Sequence, residues 1–220
     1  MNTTADPHRD LGALSGPFAG VCFAASLVAL NALSKTRYPT PGAEPSAIRG
    51  FFSKEHKAAR LGAASQLACA ACLARFTRSV AARTIRANRN TRGLRAAAAT
   101  GGALASASLT ASALTTMALT THRADRPESA DALYRLMFLT GGPVHGVGLG
   151  LLVGALGGAG LVTGELSPNL SKMALASCAA GALSPLALVA KPGIAFIPLG
   201  RLSCLLVIGI AGVRLAQAAA

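Results

Sequence analysis

The sequence predicts an all-α protein, a polytopic transmembrane helical bundle of about six spans, from three observations. The 220 residues are 52% hydrophobic and 13% charged, with a mean hydropathy of +0.49, whereas a water-facing domain carries about 25% charged residues. The charges fall in clusters separated by long uncharged stretches. Several of those stretches reach the roughly 20 apolar residues that a bilayer core of about 30 Å requires of a helix.

Taken in order, residues 1–10 are polar and expected to be disordered. Span one covers 11–33, an apolar run longer than the core of a secretory leader. Its Pro17 lies near the start, where a missing backbone N–H costs least. Residues 34–45 hold three prolines and Gly42 and read as loop. Residues 45–60 are expected to form an amphipathic helix in the headgroup region. Ile48, Phe51, Phe52 and Ala59 fall near one face, and Arg49, Lys54, Lys57 and Arg60 lie elsewhere.

Span two, 61–80, is Ala-rich, with Arg75 and Arg78 snorkelling outward. An Arg-rich linker over 75–95 carries Arg75, Arg78, Arg83, Arg86, Arg89, Arg92 and Arg95 with no acid among them. Such a run sets topology and meets anionic lipid headgroups. Span three, 96–121, is rich in Ser and Thr, whose hydroxyls can return to the helix backbone in lipid. A charged turn, 122–131, follows.

Span four, 133–161, contains Gly142, Gly146, Gly150, Gly154 and Gly158, an unbroken four-residue repeat. Glycine at this spacing lines a helix face and lets another backbone approach closely. Packing inside the bundle is favoured over a homodimer seam, although both use the same groove. Span five, 173–190, contains Pro185, span six covers 194–213 with Arg201 at its mouth, and residues 215–220 form a short tail.

A net charge of +13 would suit nucleic acid, but aromatic residues are 4% with no Trp, so there is no stacking platform. No nucleic-acid partner is expected; the lipid bilayer, its anionic headgroups and a homo-oligomeric or other membrane partner are. All five cysteines lie in apolar segments and read as small buried residues, Cys69 and Cys72 included. With six spans and a cytoplasmic N-terminus, ten Lys and Arg face the cytoplasm and eleven the other side. The raw count does not decide orientation. The density of the Arg linker places it, and both termini, on the cytoplasmic side of the cell membrane.

The helix Ile48-Arg-Gly-Phe-Phe-Ser-Lys-Glu-His-Lys-Ala-Ala-Arg60 leads into a span that ends on a basic linker, and four small-residue-rich spans follow. This arrangement resembles a loose group of uncharacterised six-span membrane proteins of actinobacteria. The resemblance covers most of 11–214 and implies the six-span architecture; no activity or catalytic residue comes with it.

An ionisable residue inside a span is a functional candidate by default. His145, in Gly142-Pro143-Val144-His145-Gly146, is the histidine placed well inside an apolar segment. Pro143 frees a carbonyl one turn earlier, so His145 and Pro143 together suggest a ligand-binding notch. The simpler reading is an imidazole bonded to a hydroxyl of a neighbouring helix. Asn31 and Gln66 read as interhelical hydrogen-bonding residues.

No span carries a central carboxylate, which lowers the weight of ion-coupled transport. There is no H-E-x-x-H, P-loop or Gly-flanked serine with an oriented partner. No metal, cofactor or catalytic residue is therefore expected. The leading expectation is a noncatalytic permease-like or accessory protein for a small lipophilic compound. The alternatives are a membrane-embedded enzyme acting on a lipid or isoprenoid, and an assembly partner that uses the glycine face.

Overall fold

The computed structural model describes residues 12–87, 92–121 and 126–217, without the side chains of 83–87 and 191. Among them are eight α-helices and no strand: α1 Ser15–Ala32, α2 Pro45–Lys54, α3 His56–Ala87, α4 Arg92–Leu119, α5 Pro127–Leu139, α6 His145–Thr163, α7 Pro168–Ala182 and α8 Phe196–Gln217. Five helical stretches are long and apolar enough to cross a membrane: Ser15–Ala32, Arg92–Leu119, Pro127–Thr163, Pro168–Leu188 and Pro192–Gln217. The sixth long helix, α3, does not meet that measure, because Gln66, Arg75 and Arg78 dilute its Ala-rich stretch.

Local chemistry sets many of the ends. Pro45, Pro127 and Pro168 each open a helix, where their missing N–H is no loss. Ser167 caps α7 by accepting from the Leu170 N–H. α6 stops at Gly164, whose φ of 72° is a left-handed conformation that suits glycine, and its N–H reaches the Gly160 carbonyl.

Between α5 and α6 the chain widens into a π-turn, Thr140–Val144. Pro143 cannot donate to the Leu139 carbonyl, and a wider turn accommodates the missing bond. A hydroxyl from α4 supports this region, with Ser112 Oγ donating to the Met137 carbonyl at 3.2 Å.

Successive long helices run antiparallel. Gly16 meets Phe76 between α1 and α3, Gly102 meets Thr77 between α3 and α4, and Gly148 meets Ala105 between α4 and α6. Gly157 meets Ala174 between α6 and α7, and Gly200 meets Gly181 between α7 and α8. α8 then returns to α1, where Gly16 lies against the Ile208 carbonyl and Gly212 against that of Ala13. The starts of α1 and α4 therefore share one end with the termini of α3 and α8.

The main core fills this arrangement, with Leu73, Phe76, Leu109, Leu149, Leu152 and Ile208 fully buried. A second, smaller core lies at the opposite end, where Ile48, Phe51 and Phe52 of α2 pack on Tyr134 and Met137 of α5. Tyr38 closes it, its ring edge-on to Phe51 at 5.1 Å.

Several boundaries differ from the sequence expectation. The 45–60 helix is α2 followed, after Glu55, by the start of α3. Its apolar face is covered by α5 and Tyr38 rather than left free for lipid, while Arg49, Lys54, Lys57 and Arg60 are exposed. Most of the expected 75–95 linker is helix. Arg75, Arg78, Arg83 and Arg86 lie on α3, and Arg92 and Arg95 on α4; Arg89 lies outside the described residues. Ala and Arg favour helix, and nothing in 75–87 breaks one.

The stretch expected as span four, 133–161, lies in a longer one over Pro127–Thr163, and that expected as span five, 173–190, falls on α7, which ends at Ala182 and is followed by 3-10 turns at Ser184–Leu188 and Lys191–Ala195. The disordered segment expected at 1–10, part of the turn 122–131 and the last residues of the tail lie outside the described residues.

Candidate functional site

At the end of the molecule that holds the second core, a cavity of about 720 Å³ opens between α1, α3, α4, α5 and α8, with residues 34–41 as one wall. Its size is within the range of small-molecule sites. Phe23, Leu27, Leu30, Phe138, Ile194 and Ile197 give it an apolar body, and Gln66, Ser112, Thr116, Tyr134 and Arg201 give it polar points.

Most of the hydroxyls are already committed. Thr116 donates to Ser112 O at 2.8 Å, Tyr134 to Pro39 O at 2.6 Å, and Tyr38 to Met137 Sδ at 3.4 Å. Burial raises the Tyr38 phenol well above its ordinary pKa, the nearby Tyr134 adds to this, and Arg201 acts the other way. Tyr38 therefore remains a hydrogen-bond donor at neutral pH.

Three polar atoms remain without partners. Seven side-chain N or O atoms are buried and unbonded among the described residues, and three of them belong to residues that line this one cavity: Ser34 Oγ, Gln66 Oε1 and Arg201 Nε. Native interiors pair most buried polar atoms, so their convergence marks a place suited to a ligand or ordered water. The Arg201 guanidinium sits over the Phe23 ring, 4.4 Å from its centroid. No acidic residue lines the cavity, while Lys35 and Arg37 stand in its wall.

The wall is held from below by Glu55, which is 8% exposed. Its carboxylate accepts from Lys35 N at 3.0 Å, Thr36 N at 2.9 Å and Thr36 Oγ1 at 3.0 Å. Glu55 is thus the anchor of the loop. On the same side Arg60 closes the end of α4, donating from Nε to Thr120 Oγ1 at 2.9 Å.

The residues singled out from sequence lie mainly elsewhere. His145 is fully buried between α4 and α6. Its Nδ1 lies 2.9 Å from the Ala105 carbonyl, which can only accept, so Nδ1 carries the hydrogen. Its partner is thus backbone and not the hydroxyl expected, and Nε2 is buried without a partner. His145 does not line the cavity, and neither does Pro143, which forms the π-turn; their neighbours Gly141 and Gly142 do line it.

The glycine repeat is distributed among three neighbours. A Cβ on Gly142 would meet Ile197 of α8. On Gly146, Gly150 or Gly154 it would meet Ser184 or Cys178, in or just after α7, and on Gly158 Leu94 of α4. Each four-residue step turns about 40° past a full circle, so the stripe winds around the helix. α7 of the same chain occupies the part of the face available to another protein's helix.

Of the Arg cluster, Arg75, Arg78, Arg92 and Arg95 are exposed at the opposite end of the molecule from the cavity. The cysteines are free thiols, Cys69 and Cys204 buried and the other three partly so. Among the described residues no three His, Cys, Asp or Glu side chains are grouped closely enough to hold a metal ion.

Sequence reasoning missed Arg201 as a site residue. The signal was present: a cation five residues into an apolar 22-residue helix is an ionisable group at membrane depth. Treating it as a residue at the helix mouth discarded that signal. No protein-family model, characterised protein or solved structure matches this chain.

Proposed function

We propose that this chain is a six-span protein of the cell membrane that binds a small lipophilic compound in the cavity beside Arg201, acting as a permease-like or accessory protein without covalent chemistry. Both termini and the Arg-rich α3–α4 end face the cytoplasm in this reading. The cavity is the observation that carries it: an apolar space with a few unsatisfied polar points, at one end of helices belted with outward apolar side chains.

Phe18, Val21 and Val28 on α1, Leu114 on α4, Leu161 and Val162 on α6 and Leu199, Leu202 and Leu206 on α8 are each at least half exposed. In water such a surface is an aggregation hazard; in hydrocarbon it is at home. α3 is counted as the sixth span because it lies antiparallel between α1 and α4, both of which are apolar enough to cross.

The Pro127–Thr163 stretch, at 37 residues, is about 55 Å long, well beyond a core of about 30 Å. Its first turns carry the Asp131–Arg135 ion pair of 2.9 Å and project past the hydrocarbon. In this reading the cavity opens near the headgroup level and reaches down to Phe23 and Arg201, within reach of a molecule arriving from the membrane. The Ser112, Thr116 and Tyr134 hydroxyls are bonded to backbone carbonyls, and among the described residues no nucleophile–base pair lines the cavity, which favours binding over turnover.

The chain has no Trp, so one can be installed as a reporter. Phe138→Trp places an indole in the cavity wall, and Phe18→Trp places one on the lipid-facing side of α1, 62% exposed. In detergent, a doxyl-labelled stearate methyl ester is expected to quench the Phe138→Trp signal saturably and the Phe18→Trp signal only in proportion to partitioning. Identical, non-saturating quenching at both positions overturns the proposal.

A further inference from the structure

We infer that the cavity selects an amphiphile with an oxyanion head, a carboxylate or phosphate on an apolar chain, and that Arg201 is the residue that holds the head. This rests on the reading of the cavity as a binding site and adds the chemical class of its ligand.

Four observations converge on it. Arg201 is a cation in a space with no acid on its walls, and it forms no hydrogen bond or ion pair among the described residues. Its guanidinium carbon faces the Phe23 ring, which takes up none of its N–H groups, and the Tyr38 phenol and Cys69 thiol near it carry no charge to neutralise it. Its Nε is buried without a partner, and its terminal nitrogens are neither bonded nor closed off, so their N–H groups are left for something inside the cavity. Gln66 and Ser34 stand in the same wall with Oε1 and Oγ unbonded, and a rotation of either side chain brings its carboxamide or hydroxyl to a head group.

The chemistry of the residues narrows the ligand. A guanidinium presents its donors as a planar fork that matches two oxygens of a carboxylate or phosphate, and such charge-assisted pairs are the strong ones. A half-buried cation without a counter-charge is costly, and an anionic ligand removes that cost. Lys35 and Arg37, in the wall beside it, raise the local potential toward anions and steer them to the opening. The apolar body of the cavity then takes the chain. The head can come from a single-chain acid or from the phosphate of a bilayer lipid.

The test uses the full-length Phe138→Trp protein in detergent with doxyl-labelled stearate and its methyl ester, which share the chain and differ in the anion. At pH 8 the acid is expected to reach half-saturation at a concentration at least about tenfold below the ester, the factor a charge-assisted hydrogen bond supplies. Adding Arg201→Gln should bring the two within about twofold, and Arg201→Lys should restore part of the preference. The ester titration in Arg201→Gln shows whether the cavity itself survived.

Competition separates the sources: displacement by unlabelled stearate assigns a single-chain acid, and displacement by phosphatidylglycerol alone assigns a lipid phosphate, either one supporting the oxyanion site. Equal affinity for acid and ester in the parent protein overturns the inference while leaving the cavity as a lipophile site. Absence of saturable quenching by both overturns the cavity reading itself.

Discussion

Gly148→Leu is expected to unfold the bundle, with a loss of stability above about 3 kcal/mol, beyond the usual cost of an overpacked core. A Cβ at this position would lie 2.6 Å from Ala105 N and 3.0 Å from Gly101 O, so the neighbour is backbone and cannot rotate aside. Gly101 meets α6 in the same way, 2.5 Å from Leu152 N. α4 and α6 would have to separate along this contact. That would also break the bond from His145 to Ala105 and leave the imidazole with both nitrogens unpaired. Thermal unfolding in detergent, read by size-exclusion recovery, measures it. Gly20→Leu is the comparison, since nothing lies within 4 Å of a Cβ there, and it should stay within about 0.5 kcal/mol of the parent. A normal Gly148→Leu melt would show that the α4–α6 contact is not as close as described.

Glu55→Ala is expected to cost about 2–3 kcal/mol and to release residues 34–41. The carboxylate is the acceptor for two backbone N–H groups and a hydroxyl at the start of that segment, and hydrogen bonds to a charged group are worth about 1.5–3 kcal/mol each. The sum is smaller than three such bonds, because Lys35 and Thr36 are exposed and water can replace the lost acceptor. Hydrogen exchange should rise at Lys35 and Thr36 and at the wall beyond them, while the main core keeps its protection. Glu55→Gln retains an acceptor and should fall between the two. If exchange at Lys35 and Thr36 is unchanged in Glu55→Ala, the carboxylate does not hold the wall.

The helical class and the positions of the apolar stretches were legible because lipid imposes a long, one-sided composition rule that survives in a single sequence. The glycine repeat was legible as a packing surface, but its partners were not. A four-residue period winds around a helix, so the repeat is divided among α8, α7 and α4. The closest approach to α4 instead uses Gly148, which lies off the stripe. The Arg-rich segment was misjudged by weighing charge above helix propensity. In the 45–60 segment the amphipathic pattern was legible, but an apolar helix face can be covered by lipid or by protein, and the pattern alone does not say which.

The cavity was the least legible part. Arg201, Gln66 and Ser34 come from α8, α3 and the 34–41 wall, up to 167 positions apart, and only the antiparallel return of α8 to α1 brings Arg201 over Phe23. His145 drew attention for the right physical reason, a costly polar group at depth, and the same reason applied to Arg201. The difference lay in their surroundings: His145 packs tightly between two helices, while Arg201 borders open space.

All of this depends on the outward apolar belt facing lipid. Alkaline carbonate washing of membranes from expressing cells, followed by flotation on a density gradient, tests it most directly. The intact chain should remain with the floating lipid and leave it only on addition of detergent. Release by carbonate into the supernatant as a folded, monodisperse protein would contradict the account.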